Sequence, residues 1–482
     1  MSKILYAGVA RRIINPMIGI RKAGLRLFGD PIQAIESDLT ATVLVLSDGD
    51  TRVVIIGTDL ITMTPDEAGE LRAGVAQALG ISNLDVMLNL SHNHSAPALP
   101  QYMSDSPEQI RLKERYKGNL KRWLIEAATE ANQNIQPARI GTGWGECQIG
   151  VYRRESRDER DVLGEVLDHA IDSSVGVIRV DDLDGNPIAT IFRYSCHPVT
   201  VGPRSFIGSS DFPGPAREVI EKSLGGLAIF MQGCGGNINP LVGIGYEVDC
   251  RDTKNRVGMT LGSEALKVAV NIRTNRKPGK RIPLGNVPNI LFTPWEPIDG
   301  DTCTHLSASE LIVPVEFIDL PPLKEAEAIH DRWLQTLEDR RQRGAQEWEI
   351  RVAEKYEQWA RELVDAVRHG PPPCELYIQA LRVNDIVIVG INAEVFFETG
   401  LTIKALSPFK DTFILGYTNG LIFYLPRADD YPLGGWKIDA NYAVPDLMFQ
   451  AYFLPVAIQP TTEQTLVQRA VDLIQQSTIE KS

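Results

Sequence analysis

Several features are scarce in this 482-residue chain, and each scarcity excludes something. Its six cysteines (Cys147, Cys196, Cys234, Cys250, Cys303 and Cys374) show no CxxC spacing, which argues against a disulfide framework or a thiolate zinc site. Basic residues are outnumbered, 49 Lys and Arg against 62 Asp and Glu, a formal net charge of −13. Such a chain is not a general binder of nucleic acid or of anionic membranes. No apolar run approaches the length of a membrane span. The opening Met1-Ser2-Lys3-Ile4-Leu5 lacks the apolar stretch of a secretion signal, so a cytoplasmic location is expected. No internal repeat or low-complexity segment is present. What is abundant is core-forming material: 43% of the residues are hydrophobic, ample for one large domain or several.

Strand and helix patterns alternate along the chain. Residues 38–48 and 52–57 read as strands joined by the Asp48-Gly49-Asp50 turn. Thr64-Pro65 opens a helix over 65–79, and an apolar strand over 84–90 follows. Residues 107–135 read as helix. Residues 175–180 and 189–194 form a hairpin, 215–223 a helix, 227–232 a strand and 254–273 a helix. The charged run Glu155 to Asp161 reads as a solvated loop. Residues 323–368, dense in Glu, Lys, Arg, Gln and Ala, read as two helices broken near Arg343-Gly344, a helical excursion suited to a solvated pair or to a partner or homo-oligomer contact. A second hairpin (376–383 and 385–390), a helix after Glu394, a strand at 412–416 and a helix over 461–476 complete the chain.

The chemistry gathers at strand ends. The apolar run Leu84 to Leu90 leads into Ser91-His92-Asn93-His94-Ser95-Ala96-Pro97. In an extended segment, alternation puts both imidazoles on one side of the backbone. A lone H-x-H also suits an idle, solvated loop, so other ligands must come from elsewhere. His197 follows the strand 189–194, and Glu394 follows 385–390. In an open sheet, strand ends gather into one crevice, and zinc takes imidazole nitrogen together with carboxylate oxygen. Asp59, also past a strand, reads as an anchor rather than a catalytic group. The turn Gly233-Cys234-Gly235-Gly236-Asn237-Ile238-Asn239-Pro240 lets backbone approach a ligand closely, yet it is neither GxGxxG nor a Walker loop.

In this order and spacing the chain resembles the neutral/alkaline non-lysosomal ceramidases, in their N-terminal catalytic domain. Ala7-Gly8-Val9-Ala10 through Ile14-Asn15-Pro16 is similar to the family's opening segment, and Val54 to Leu60 to its strand-plus-Asp element. Ser91 to Pro97 resembles T-H-x-H-S-G-P, Cys196-His197-Pro198 the C/T-H-P step, and Ser210-Asp211-Phe212-Pro213-Gly214 the S-x-D-x-x-G step. Gln232 to Pro240 resembles Q-G-x-x-G-D-x-S-P, Ala393-Glu394 the G-E before a helix, and Tyr417 to Tyr431 the tyrosine-rich closing motif. The resemblance implies zinc held by His92, His197, Glu394 and Tyr424; nothing in the residues alone points to Tyr424. It implies that His94 contacts the reacting carbonyl, that Arg153 contacts substrate, and that Asp211, Gly235, Gly236 and Asn237 line the substrate site. It also implies hydrolysis of an N-acyl amide.

The departures shape the expectation further. Asn239 stands where the family has a serine, and Asn237 where it has an acidic residue. Asparagine cannot act as a hydroxyl nucleophile, so water activated by zinc fits better than an acyl-enzyme; Cys234 is the other conceivable nucleophile. Trp436 takes the place of a tyrosine near the substrate, and Glu36 that of a histidine. The chain ends after its closing helix, without the family's C-terminal β-sandwich. The expected fold class is α/β: a mixed-sheet, sandwich-like catalytic domain spanning 1–482, helices on the outside, with 323–368 as a helical insertion. The expected activity is zinc-dependent hydrolysis of an amide, less readily an ester or lactone, in a small polar or amphipathic substrate. An isomerase or lyase acting on a polyol or sugar acid, and a binding protein that has lost the chemistry, are the rival readings.

Overall fold

A computed structural model describes residues 4–23, 31–99, 105–157, 160–300, 302–303, 305–433 and 452–479. Eight strands form one mixed sheet, in the order 227–232, 187–194, 174–182, 136–146, 5–13, 40–47, 52–58 and 86–90. Most neighbours are antiparallel. The two edge pairs, 52–58 with 86–90 and 187–194 with 227–232, are parallel. A parallel pair needs a crossover, and helices supply both: Pro65–Leu79 in one, Pro213–Leu224 in the other. Helix 65–79 starts where the sequence predicts, because Thr64 and Glu67 form a reciprocal capping box, and it stops at Gly80 with φ +66°.

Period-two alternation sorts each strand between two cores. In Arg52–Thr58, Val54 and Ile56 face helices 65–79 and 107–133, packing with Leu71, Val75, Leu120 and Leu124. Val53 and Ile55 face the other way, onto a second sheet of four strands, 306–314, 375–383, 386–391 and 411–415. Leu381, Val383, Ile388, Phe413 and Leu415 meet them there. Helices 397–406 and 462–479 cover the far face of the four-stranded sheet. The result is helix, sheet, sheet, helix, the α/β sandwich with outer helices that the sequence predicts.

Twist accumulated over eight strands brings the large sheet's two edges together. Asn89, on one edge strand, accepts from Gln232 N on the other at 2.8 Å, and its side-chain N–H groups donate to Gly416 O at 2.9 Å and Thr418 Oγ1 at 3.1 Å. One buried amide thus ties both edges to the loop that follows the second sheet. Strand ends from both sheets converge at this seam, and the functional side chains lie there.

The helical pair is Leu323–Gln342 and Glu347–His369, with Gly344 at φ +65° in the turn. It packs through Ile329, Trp359 and Leu363 against Val456, and Trp359 Nε1 donates to Leu454 O at 2.8 Å. The described residues of the charged run Glu155 to Asp161 are strand rather than loop, with Ser156 and Arg157 exposed and Asp161 buried. Strands Gly150–Arg157 and Arg160–Val166 pair across it, and Arg154 and Asp161 form a buried ion pair. A pattern of alternating charge can report a buried pair as readily as a wet surface, and the sequence does not separate the two. No described helix is long and apolar enough to cross a membrane.

Candidate metal and catalytic site

Three imidazoles meet at the seam. Strand Val86–Leu90 ends, Ser91 N donates to Thr58 O, and His92 turns into the left-handed region at φ +61°. The segment is therefore a turn rather than an extended strand, and alternation does not align the two histidines. A non-glycine residue in this region is strained and persists because its surroundings hold it. Here the holding is visible: Asn93 N donates to Leu60 O, Asn93 Nδ2 donates to Ser209 O at 2.6 Å, and His94 N donates to Pro198 O. The ring centroids of His92 lie 4.9 Å from those of His94 and 4.8 Å from those of His197. One ring nitrogen from each of the three falls within 4.8 Å of the others.

His92 and His197 are oriented alike. His92 Nδ1 lies 2.9 Å from Ile61 O, and His197 Nδ1 lies 2.7 Å from Gly235 O. A carbonyl only accepts, so each Nδ1 carries the hydrogen and each Nε2 presents a lone pair. Burial, with Arg153 close by, holds His197 down to about 3, so its ring is neutral at pH 7. Both Nε2 atoms point at one carboxylate oxygen: Glu394 Oε2 is 3.4 Å from His92 Nε2 and 3.2 Å from His197 Nε2. Two lone pairs facing an anionic oxygen is an arrangement that a cation among them would relieve.

Glu394 reaches this point because strand Glu394–Val395 pairs in parallel with Tyr424–Leu425, in a register that sets Glu394 beside Tyr424. Its Oε1 accepts from Tyr452 at 2.5 Å, and Oε2 accepts from Tyr417 at 3.4 Å. Burial and then the Glu394 charge push the phenols of Tyr417, Tyr424 and Tyr452 well up, so they stand as neutral O–H groups. Arg153 enters from the strand Gly150–Arg157, which pairs with Ile238–Pro240. It donates to Asn239 Oδ1 at 3.0 Å, Gly236 O at 2.6 Å and Tyr424 Oη at 3.3 Å, and lies 3.2 Å from His197 Nε2.

His94 differs from its neighbours. It is half-buried, yet both ring nitrogens are shielded from solvent and neither meets a hydrogen-bond partner. Burial first, then His92 and His197, hold its pKa well below the ordinary value, so it too is neutral.

The glycine turn frames these groups. A Cβ on Gly236 would lie 2.6 Å from Glu394 O and 2.9 Å from Val395 O, so only glycine lets the turn close on the glutamate strand. Gly236→Ala is expected to move Glu394; if this site holds a metal, its content should fall at least about tenfold, the scale of a disturbed ligand support, and elemental analysis of the wild-type and variant proteins checks it.

The structure thus brings together His92, His94, His197, Glu394, Tyr424, Arg153 and Asn239. Other residues are engaged elsewhere. Asp211, at φ +50°, accepts from Thr200 Oγ1, from Val201 N at 2.9 Å and from Phe212 N at 2.6 Å. Asn237 accepts from Phe397 N at 3.1 Å and donates to Glu398 at 2.8 Å. Gly235 O holds His197. Glu36 is ion-paired with Lys254. Cys234 is fully buried, and burial pushes its thiol up to about 12, which makes it a poor nucleophile. Trp436 lies outside the described residues. Tyr417, which opens the tyrosine-rich motif, and Tyr452 join the site without being singled out as site residues by the sequence. Tyr417, at φ +54° before Asn419-Gly420, carried a turn signal; Tyr452 carried none.

No family model matches the chain. Two curated relatives from Dictyostelium discoideum do: neutral ceramidase B, 25% identical over 169 residues, and neutral ceramidase A, 24% identical over 219 residues. These matches cover 32% and 42% of this chain, but only 24% and 30% of the relatives. Across the whole fold, the crystal structure of neutral ceramidase from Pseudomonas aeruginosa superposes with a TM-score of 0.67 at 16% identity, covering 99% of this chain and 75% of that one. This chain is similar to the neutral ceramidases, in fold along its length and in sequence over part of it. A ceramidase structure complexed with C2 superposes equally well, at TM-score 0.67 over 98% of the chain. The ceramidase likeness in fold extends along the chain, whereas the sequence matches span at most 30% of the length of the curated relatives.

Proposed function

We propose that this ceramidase-like protein is a metal-dependent hydrolase of a carbon–nitrogen amide bond, with zinc as the metal. The observation that carries the reading is the convergence of two imidazole lone pairs on Glu394 Oε2, each ring fixed through Nδ1 by a backbone carbonyl. Nitrogen and carboxylate donors of this kind suit zinc. His92, His197 and Glu394 would hold it, with Tyr424 beside Glu394 in the ladder. The relatives' names supply the bond class.

A zinc ion bound there would polarise a carbonyl and make water a better nucleophile near pH 7. The chain's own groups would do the rest. Asn239 and Gly236 O fix the Arg153 guanidinium beside His197, where it can hold a substrate oxygen. His94, neutral and without another partner, can donate to the carbonyl or leaving group. Asn239 is committed to Arg153 and has no hydroxyl, so the acyl group is not transferred to this position. The loss of that serine supports a small polar or amphipathic amide as substrate.

The test is release of amine from N-acyl substrates of graded chain length, N-acetylsphingosine among them, before and after chelation. Chelator-sensitive release is expected; a fully zinc-loaded protein that cleaves no amide would reject the reading. Within it, His94→Ala is expected to keep its metal and lose about 10²- to 10³-fold in kcat. Loss of metal in that variant would instead make His94 a ligand.

A further inference from the structure

The net charge of −13 conceals one stretch of opposite sign. Residues 273–299 carry five cations, Arg273, Arg276, Lys277, Lys280 and Arg281, against Glu296 and Asp299. All five cations are exposed. The stretch forms a projecting β-hairpin. At its root Arg276 pairs with Pro297 and Lys277 with Glu296; towards its tip Ile282 pairs with Phe292 and Leu284 with Val287. The root is anchored: Thr274 donates to Asp181 at 2.6 Å and Asn275 to Asp184 O at 2.9 Å.

The tip, residues 282–294, has no charged side chain. Ile282, Leu284, Val287, Ile290, Leu291 and Phe292 are each 39 to 51% exposed. Alternation places Ile290 and Phe292 on one face and Val287 and Leu291 on the other. Neither face is buried against the protein. A two-stranded hairpin alone is marginal in water, and an apolar patch on both faces calls for an apolar surrounding.

We infer that this hairpin docks the protein on an anionic lipid bilayer, its uncharged tip entering the headgroup and upper acyl region while the basic root holds lipid phosphates. Three observations favour a bilayer over a second protein. The charge changes from cationic to none along the arm in the order a membrane surface presents it. Trp295 sits at the junction, with the Arg273 guanidinium 4.3 Å from its ring centroid, the amphipathic pairing that suits the headgroup level. Pro278, Pro283, Pro288, Pro294 and Pro297 remove N–H donors from both strands, so neither edge is suited to accept a strand from a partner. The strands are too short to span a bilayer, which takes about 9–11 residues per strand. They suit shallow insertion.

The inference stands apart from the amide chemistry, because vesicle binding and amine release are separate readouts. The full chain is floated with phosphatidylcholine vesicles, with and without about 30 mol% phosphatidylserine. Binding to the anionic vesicles alone is expected. Lys277→Gln and Lys280→Gln should each weaken it about fivefold, and about 25-fold together. Leu291→Asp with Phe292→Asp should abolish it while the thermal midpoint stays unchanged, since both side chains project from the fold. Failure of the wild-type chain to float with anionic vesicles overturns the inference, as does undiminished flotation of the tip variant. A wild-type dimer that the tip variant converts to monomer, without vesicle binding, would also overturn it and make the hairpin a contact between copies.

Discussion

Replacing His92 and His197 together by alanine is expected to strip the metal and reduce amide turnover by at least about 10⁴-fold, or more than about 5 kcal/mol of transition-state stabilisation at 1.36 kcal/mol per decade. Each ring offers its Nε2 toward Glu394 Oε2, at 3.4 and 3.2 Å, and the double variant removes both nitrogens at once. With both rings gone, Glu394 keeps its bonds from Tyr452 and Tyr417 and becomes an ordinary buried carboxylate held by phenols. The fold should survive, because the imidazoles contribute little of the core between the sheets. The His92→Asn variant provides a control: asparagine tolerates the left-handed backbone at φ +61°, so a loss of metal there reports the missing nitrogen rather than a collapsed turn. Zinc at wild-type stoichiometry in the double variant would refute the site.

Much of this candidate site is legible because the proposed ligands follow apolar strands, and strand ends are what hydrophobic patterning locates best. Leu84 to Leu90, Ala189 to Tyr194 and Asp385 to Gly390 each announce the residue that follows. The pattern could not show that twist brings the two edges of the eight-stranded sheet together, bridged by the Asn89 amide, since that depends on the sum of many small rotations. Nor could it place Tyr424, whose position beside Glu394 follows from a two-residue parallel ladder. Such a ladder is too short to leave a periodicity. The H-x-H spacing suggests two neighbouring rings by strand alternation; the rings do lie together, but through a left-handed turn. Asp211 and Asn237 show the converse. Their motif positions suggested substrate contacts, but local geometry engages their polar atoms with backbone and with helix 397–406.

Asp59 supplies the largest expected effect on stability. Its carboxylate is buried and takes both guanidinium arms of Arg217, at 2.8 and 2.6 Å, together with Thr40 N at 2.8 Å and Thr40 Oγ1 at 3.1 Å. Breaking a buried pair of this kind by removing one partner costs about 3–5 kcal/mol, because the other charge stays buried without compensation. Against a total stability of about 5–15 kcal/mol, Asp59→Ala should therefore leave a chain that is partly unfolded at 37 °C, read as a large fall in the urea midpoint. Arg217→Met in the same background should recover much of the loss, since a buried pair replaced by apolar groups of similar shape is often close to neutral. A surface ion pair would behave differently: the single variant would cost under about 1 kcal/mol and salt would erase it. That outcome would overturn the assignment. The effect should also reach the metal. Leu60 O, next to Asp59, accepts from Asn93 N, and this bond fixes the turn that carries His92 and His94. Asp59→Asn keeps an acceptor for Thr40 but loses the charge that holds helix 213–224. Its zinc content should fall before its fold does, which separates the anchoring of the turn from the stability of the sheet.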